Sequence, residues 1–116
     1  MLIPIPELLK QVAPTQRRIS SEQAKQELDK NHGLLIDVRE PAEHMIKAAV
    51  GAINIPRGVL EMKLMEIEKD PARPIYLHCA SSARATLAAE ALQRVGYENV
   101  TVISCKADQV CQTFDI

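Results

Sequence analysis

Among the side chains capable of covalent chemistry, Cys79 has the most informative neighbours. It closes a short apolar run, residues 74–79 (PIYLHC), and Ala80, Ser81 and Ser82 follow before a helical pattern begins at about Ala83. Small side chains at a helix N-terminus leave the amide N–H groups open toward a common centre, and the helix dipole adds to their pull on an anion. Arg84 places a permanent cation five residues after the cysteine. A thiol in this setting is expected to present a thiolate at neutral pH. A product with negative charge on sulfur would be held by the same donors. A lone cysteine at a strand end is otherwise a buried, inert apolar residue. Arg84 and the loop of small residues favour the reactive reading.

The other candidate groups are weaker. Cys79, Cys105 and Cys111 contain no C-x-x-C pair and no Cys/His pair at finger spacing, so no metal site is expected. An odd number of thiols suits a reducing compartment better than a disulfide framework, which points to the cytoplasm. His78 precedes Cys79 on a strand, so its ring faces the opposite side of the sheet and reads as a satisfied core histidine. His32 and His44 have no partner at ligand spacing, and Cys111 reads as a bystander. Met62 and Met65 lie in a helical stripe and read as core or interface fillers.

Composition narrows the field further. At 116 residues, 47% of them apolar, the chain can build one core. Fourteen basic against fifteen acidic side chains give no basic excess for nucleic acid or an anionic membrane. With one Phe, two Tyr and no Trp, stacking platforms for bases are nearly excluded. No apolar run reaches the length of a membrane span. The N-terminal MLIPIPELLKQV is broken by Pro4 and Pro6 and lacks the pattern of a signal peptide.

The elements that must position Cys79 follow from periodicity and punctuation. Residues 1–18 read as an N-terminal extension with a short helix over 7–12, and 19–116 as the domain. Apolar residues of the extension, Leu2, Ile3, Ile5, Leu8 and Leu9, could cap the core or pair two subunits, so monomer and homodimer both stay open. Ser20 and Gln23 stand in capping-box spacing at the start of a helix that Gly33 should stop. Residues 34–38, 52–55, 74–79 and 100–104 read as strands. Between them, 58–68 and the face Ala85, Ala88, Leu92 and Val95 read as helices, the second stopped by Gly96. Strands alternating with helices predict an α/β fold, an open sheet of parallel strands with helices on both faces. Ligands then bind beyond the carboxyl ends of the strands, at 37–41, 79–85 and 104–108.

Taken together, four segments resemble the rhodanese (sulfurtransferase) family in order and spacing. They are DVREPAE at 37–43, GAINIP at 51–56, CASSARA at 79–85 and GYENV at 96–100. The resemblance covers about residues 19–105 and implies the family's open α/β fold. It also implies that Cys79 takes sulfane sulfur from a small donor, forms a persulfide, and passes the sulfur to a thiol or cyanide-like acceptor or to a partner protein. No metal or organic cofactor is implied, since the chemistry is a double displacement. Phosphatases of the same fold, arsenate reductases among the alternatives, separate cysteine and arginine by one residue more. The C-x4-R spacing of this chain matches the shorter sulfurtransferase loop. A non-enzymatic interaction module of the same family is the other alternative, disfavoured by the presence of Cys79.

On this resemblance, the amides of the segment Ala80, Ser81, Ser82, Ala83, Arg84 and Ala85 form the anion cradle. Asp37 and Arg39 fall beside it, where a carboxylate can brace backbone amides. Arg57 lines the mouth, or is an exposed arginine at a helix start. The sequence also departs from the family pattern. Ser82 stands where Gly is usual, and Ala80 and Ala83 stand where basic residues are common, which predicts weak activity with dianionic thiosulfate. Lys47-Ala48 replaces Gly-His, and Cys105-Lys106 replaces Gly-Gly after the last strand. Cys105 is thereby a possible second thiol for sulfur relay or a protective disulfide with Cys79, or simply an apolar filler.

Overall fold

The computed structural model describes residues 1–115. Five strands, β1 (Arg17–Ile19), β2 (Leu34–Asp37), β3 (Ile53–Asn54), β4 (Ile75–His78) and β5 (Val100–Ile103), form one sheet in the order β1-β5-β4-β2-β3. Every neighbouring pair is parallel. The helices are α1 (Ile5–Val12), α2 (Ser21–Asn31), α3 (Pro41–Ile46), α4 (Leu60–Ile67), α5 (Ala83–Arg94) and α6 (Ala107–Thr113).

All residues of β4 and β5 are buried, as a parallel sheet covered on both faces requires. On one face Ile36, Val38, Ile75, Leu77, Cys79 and Val102 pack under Leu60 and Leu64 of α4 and the alanines of α5. On the other, Leu35, Tyr76 and Ile103 pack under Ala24 of α2 and Val110 and Cys111 of α6. The short side chains Ala85, Ala88 and Ala89 are wholly buried and let α5 sit close to the sheet.

The predicted strands and helices after residue 20 all form, with ends displaced by one to three residues. Two elements had no clear sequence signal. β1 is only three residues, RRI, and pairs with β5 from Arg17↔Thr101 to Ile19↔Ile103, so the sheet reaches into the segment read as an extension. α6 covers the second core cluster with Val110 and Cys111. Ahead of β1, α1 packs on α5 with Val12 buried, while Leu2, Ile3 and Ile5 stay exposed.

Four expectations need correction. Met62 and Met65 are 65% and 46% exposed, so they are not core fillers, which leaves the interface reading; the buried residues of α4 are Leu60 and Leu64. Val95 is likewise exposed, lying at the C-cap of α5 rather than on its inner face. Gly33 does not supply the left-handed residue that ends α2; His32 does, at φ 56°. Glycine is needed at 33 for a different reason. A Cβ there would sit 2.6 Å from the carbonyl oxygen of Pro74, whose backbone runs alongside at the start of β4. At the start of α2, Ser20 Oγ accepts the Gln23 N–H at 3.2 Å, but Gln23 turns its side chain to Glu27 instead of closing the capping box.

From β2 the chain moves outward to β3, then returns past β2 to β4 and continues outward to β5. The direction therefore reverses between β2 and β4. The connections that leave those two strands part there, although the backbones stay paired as far as the Val38 N–H on the His78 carbonyl at 2.9 Å; such a reversal is the general ligand position of open parallel sheets. Asp37 ends β2 and Cys79 follows β4 at that point.

Candidate active site around Cys79

Cys79 is 1% exposed, and its Sγ accepts the backbone N–H of Ala85 at 3.3 Å. Sulfur and helix start are thus joined across the loop. Ser82 is the N-cap of α5, with φ 78° and ψ −11°, a left-handed conformation that costs a non-glycine residue about 1 kcal/mol. Its carbonyl is held twice from the first turn, by the Thr86 N–H and the Thr86 hydroxyl, each at 2.8 Å. On the other side the Ala107 N–H at the start of α6 binds the Ala80 carbonyl at 3.0 Å. The loop is fixed at both ends. Among the described residues the amides of Ser81, Ser82, Ala83 and Arg84 donate to no protein acceptor.

Arg84 points to α3, where its two terminal nitrogens bind the Glu43 carboxylate at 2.7 and 3.0 Å. Glu43 also accepts the N–H of Glu40 at 3.0 Å, closing the first turn of α3. The Arg84 guanidinium, and then the Glu40 N–H, hold the Glu43 carboxyl down at about 2. A bidentate arginine–carboxylate pair fixes orientation as well as distance. The expected cation of the loop is therefore present, with a carboxylate as its partner.

Asp37 and Arg39 form a buried pair, unlike a surface ion pair. The Asp37 carboxylate accepts the Arg39 N–H and the Arg39 guanidinium at 2.8–3.0 Å, and the Nδ1 of His44 lies 2.9 Å from it. Burial alone would raise this carboxyl, but the hydrogen bonds from Arg39 and His44 outweigh it and hold it below the usual range. Arg39 Nη2 further donates to the Lys47 carbonyl at 2.7 Å, and Asn54 Nδ2 ties the carbonyls of Asp37 and Arg39 together. Asp37 thus braces the segment leading into α3 rather than the amides of the Cys79 loop. Through α3 that segment positions Glu43, and through Glu43, Arg84.

Arg57 pairs along its own helix turn with Glu61 at 2.9 Å. Cys105 belongs to the core cluster on the face opposite Cys79, and its Sγ accepts the Ser21 N–H at 3.3 Å. Cys111 lies in that same cluster, where burial pushes its thiol up. All three cysteines are free thiols.

His78 departs from the satisfied core histidine expected at its position. It is wholly buried opposite Asp37 of β2, yet neither ring nitrogen makes a hydrogen bond of ordinary geometry among the described residues. Burial, partly countered by the nearby Asp37 carboxylate, pushes its pKa down to about 4. Glu43, His44 and Thr86 complete the surroundings of the loop. Glu43 lies within the DVREPAE segment, but its pairing with Arg84 spans 41 positions and follows only from the fold.

The model of the rhodanese-like domain matches residues 20–106. A protein from Allochromatium vinosum named sulfurtransferase is 35% identical over 83 residues, covering 71% of this chain and 76% of its own length. YqhL of Bacillus subtilis is 44% identical over 62 residues, 53% of this chain and 48% of YqhL. This chain spans about half the length of the Bacillus subtilis relatives it matches. Among solved structures, the polysulfide-sulfur transferase homodimer of Wolinella succinogenes superposes with a TM-score of 0.73 at 25% identity, covering 90% of this chain and 80% of that one. No helix of the described residues is long and apolar enough to cross a membrane. With the parallel sheet, the cysteine loop at its switch point and these matches in agreement, the chain belongs to the rhodanese-like domain family.

Proposed function

We propose that the protein is a sulfurtransferase in which Cys79 is the sulfur carrier. The observation that supports this most directly is the Cys79 loop itself. Its sulfur receives the Ala85 N–H, and four further amides, from Ser81 to Arg84, stand uncommitted beside it. Such donors stabilise negative charge developing on sulfur. In the first half-reaction the Cys79 thiolate attacks the outer sulfur of a sulfane donor. A Cys79 S–S bond forms, the donor's S–S bond breaks, and its electron pair leaves with the remainder of the donor, as sulfite if the donor is thiosulfate. In the second, a thiol or cyanide attacks the outer persulfide sulfur and Cys79 leaves as thiolate. Neither half needs a cofactor to balance.

The roles of the surrounding residues follow from their contacts. Arg84 and Glu43 hold the helix start in place, and Asp37 with Arg39 and His44 holds the segment that carries Glu43. Arg57 is engaged by Glu61, and the loop's own side chains at 80 and 83 are alanines, so neither supplies a free cation to a dianionic donor such as thiosulfate. Cys105 acts as a packing residue of the opposite face, not as a relay. Three free thiols suit a reducing compartment such as the cytoplasm.

Intact-protein mass spectrometry after incubation with a sulfane-sulfur donor tests the reading. One added sulfur is expected, removable by cyanide and absent from Cys79→Ser. Failure of any donor to modify the wild-type protein would overturn it in favour of an interaction module.

A further inference from the structure

One cation at the Cys79 loop comes from outside the matched segment 20–106. Arg18 stands on the edge strand β1, and its guanidinium reaches over to the start of α5. Nη1 donates to Thr86 Oγ1 at 2.8 Å and to Gln16 Oε1 at 3.4 Å, and Nη2 donates to Ser82 Oγ at 3.3 Å. Gln16, two residues earlier, donates its own Nε2 to the Thr86 carbonyl at 2.7 Å. The edge strand is therefore stitched to the two residues that define the helix start, the left-handed Ser82 and the buried Thr86.

The two arginines at the loop differ in what they bind. Arg84 faces the Glu43 carboxylate, which offsets its charge. Every acceptor of Arg18 is a neutral oxygen, and none of the ion pairs among the described residues includes it. A guanidinium on neutral acceptors leaves its charge free to act on an approaching anion. The loop lacks such a charge of its own, with Ala80, Ser81, Ser82 and Ala83 between Cys79 and Arg84.

We propose that Arg18 is the specificity-determining cation of the Cys79 site. It selects anionic sulfur donors, using its contact with Ser82 and Thr86 to place an uncompensated positive charge at the cradle. The proposal rests on the persulfide reading given above. It also gives the short edge strand a functional task, since β1 alone carries this side chain to the loop.

Thiosulfate and an alkanethiosulfonate test it. Both deliver one sulfane sulfur to Cys79, leaving as sulfite and as a sulfinate respectively, but the first is a dianion and the second a monoanion. Coulombic attraction scales with ligand charge, so its effect on the rate should scale as a power. Arg18→Gln is expected to lower kcat/KM by about tenfold for thiosulfate and about threefold for the alkanethiosulfonate, mainly through KM. The variant should also lose most of the wild-type rate's fall with added salt. Arg18→Lys, which keeps the charge but not the fork, should retain the wild-type ratio between the two donors. Equal losses for both donors, unchanged salt dependence, or no rescue of the ratio by lysine would overturn the proposal and leave Arg18 a brace of the loop. If the wild-type protein forms no persulfide with either donor, the sulfurtransferase reading itself fails.

Discussion

Arg84, within the cysteine loop, is bound through both terminal nitrogens by Glu43 on α3, at 2.7 and 3.0 Å. The pair links the loop that follows β4 to the helix that follows β2, so the two are held at a fixed separation. In the proposed reaction, rigid placement of this kind would preserve a preorganised set of donors that need no rearrangement as charge develops on sulfur.

Glu43→Gln should loosen that link. The expected outcome is a fall of about tenfold in the rate of Cys79 persulfide formation, on the scale of a misplaced positioning contact, with the fold retained. The same variant should alter acid stability. Glu43 is held at about 2 in the folded protein against an ordinary 4.5. Its contribution is therefore present above pH 4.5 and is lost as the pH falls toward 2. Urea unfolding across that window should show a shallower decline for Glu43→Gln than for the wild type.

Asp37→Asn removes the negative partner of a buried guanidinium. Because Arg39 is nearly inaccessible and gains three of its contacts from this one carboxylate, the variant should lose about 3 to 5 kcal/mol of stability. Denaturant midpoints would reveal it. A loss under 1 kcal/mol would mean that water reaches Arg39.

His78→Leu should stabilise the protein. The wild-type ring is buried with neither nitrogen hydrogen-bonded, a cost of about 1 to 3 kcal/mol that an apolar side chain of similar size avoids. The pH profile provides a second readout. With the folded pKa lowered to about 4 from 6.5, the unfolded chain binds the proton first, so the wild type loses stability as the pH falls from 6.5 to 4. That loss amounts to roughly 3 kcal/mol and should vanish from the His78→Leu profile.

Ser82→Gly relieves the left-handed backbone at the N-cap of α5 and removes one acceptor of Arg18. Strain relief of about 1 kcal/mol should outweigh the loss of a 3.3 Å hydrogen bond and leave stability equal or slightly higher. Ser82→Val, branched at Cβ, should be clearly destabilised at the same position. Thermal unfolding of the two variants gives the comparison directly.

The sequence was most legible where a signal is local. Cys79, the small-residue loop and Arg84 lie within six positions, and the alternation of apolar runs with helical stripes predicted an open parallel sheet with the loop at its carboxyl edge. Gly96 is left-handed as expected, at φ 110°. Legibility failed where a residue's role depends on a remote neighbour. β1 is three residues long and two of them are arginines, so nothing in its periodicity marks it; its pairing with β5 creates it. Met62, Met65 and Val95 sit at helical spacing, but Leu60 and Leu64 alone form the buried face of α4 and Val95 falls at the end of α5, so all three are exposed. Gly33 reads as a helix stop, whereas the backbone of Pro74 is what excludes a side chain there.

By itself, the sequence determined which thiol stands at the end of a strand and the length of the loop that follows it, because both are covalent facts of adjacent residues. Only the tertiary structure decided which charges at that loop are free. Arg57 and Arg39 meet carboxylates close in sequence and Arg84 meets one brought up from 41 positions away, while Arg18 meets only neutral oxygens. Charge compensation depends on distances of a few ångströms between residues as far apart as positions 18 and 86, and a linear pattern does not encode them.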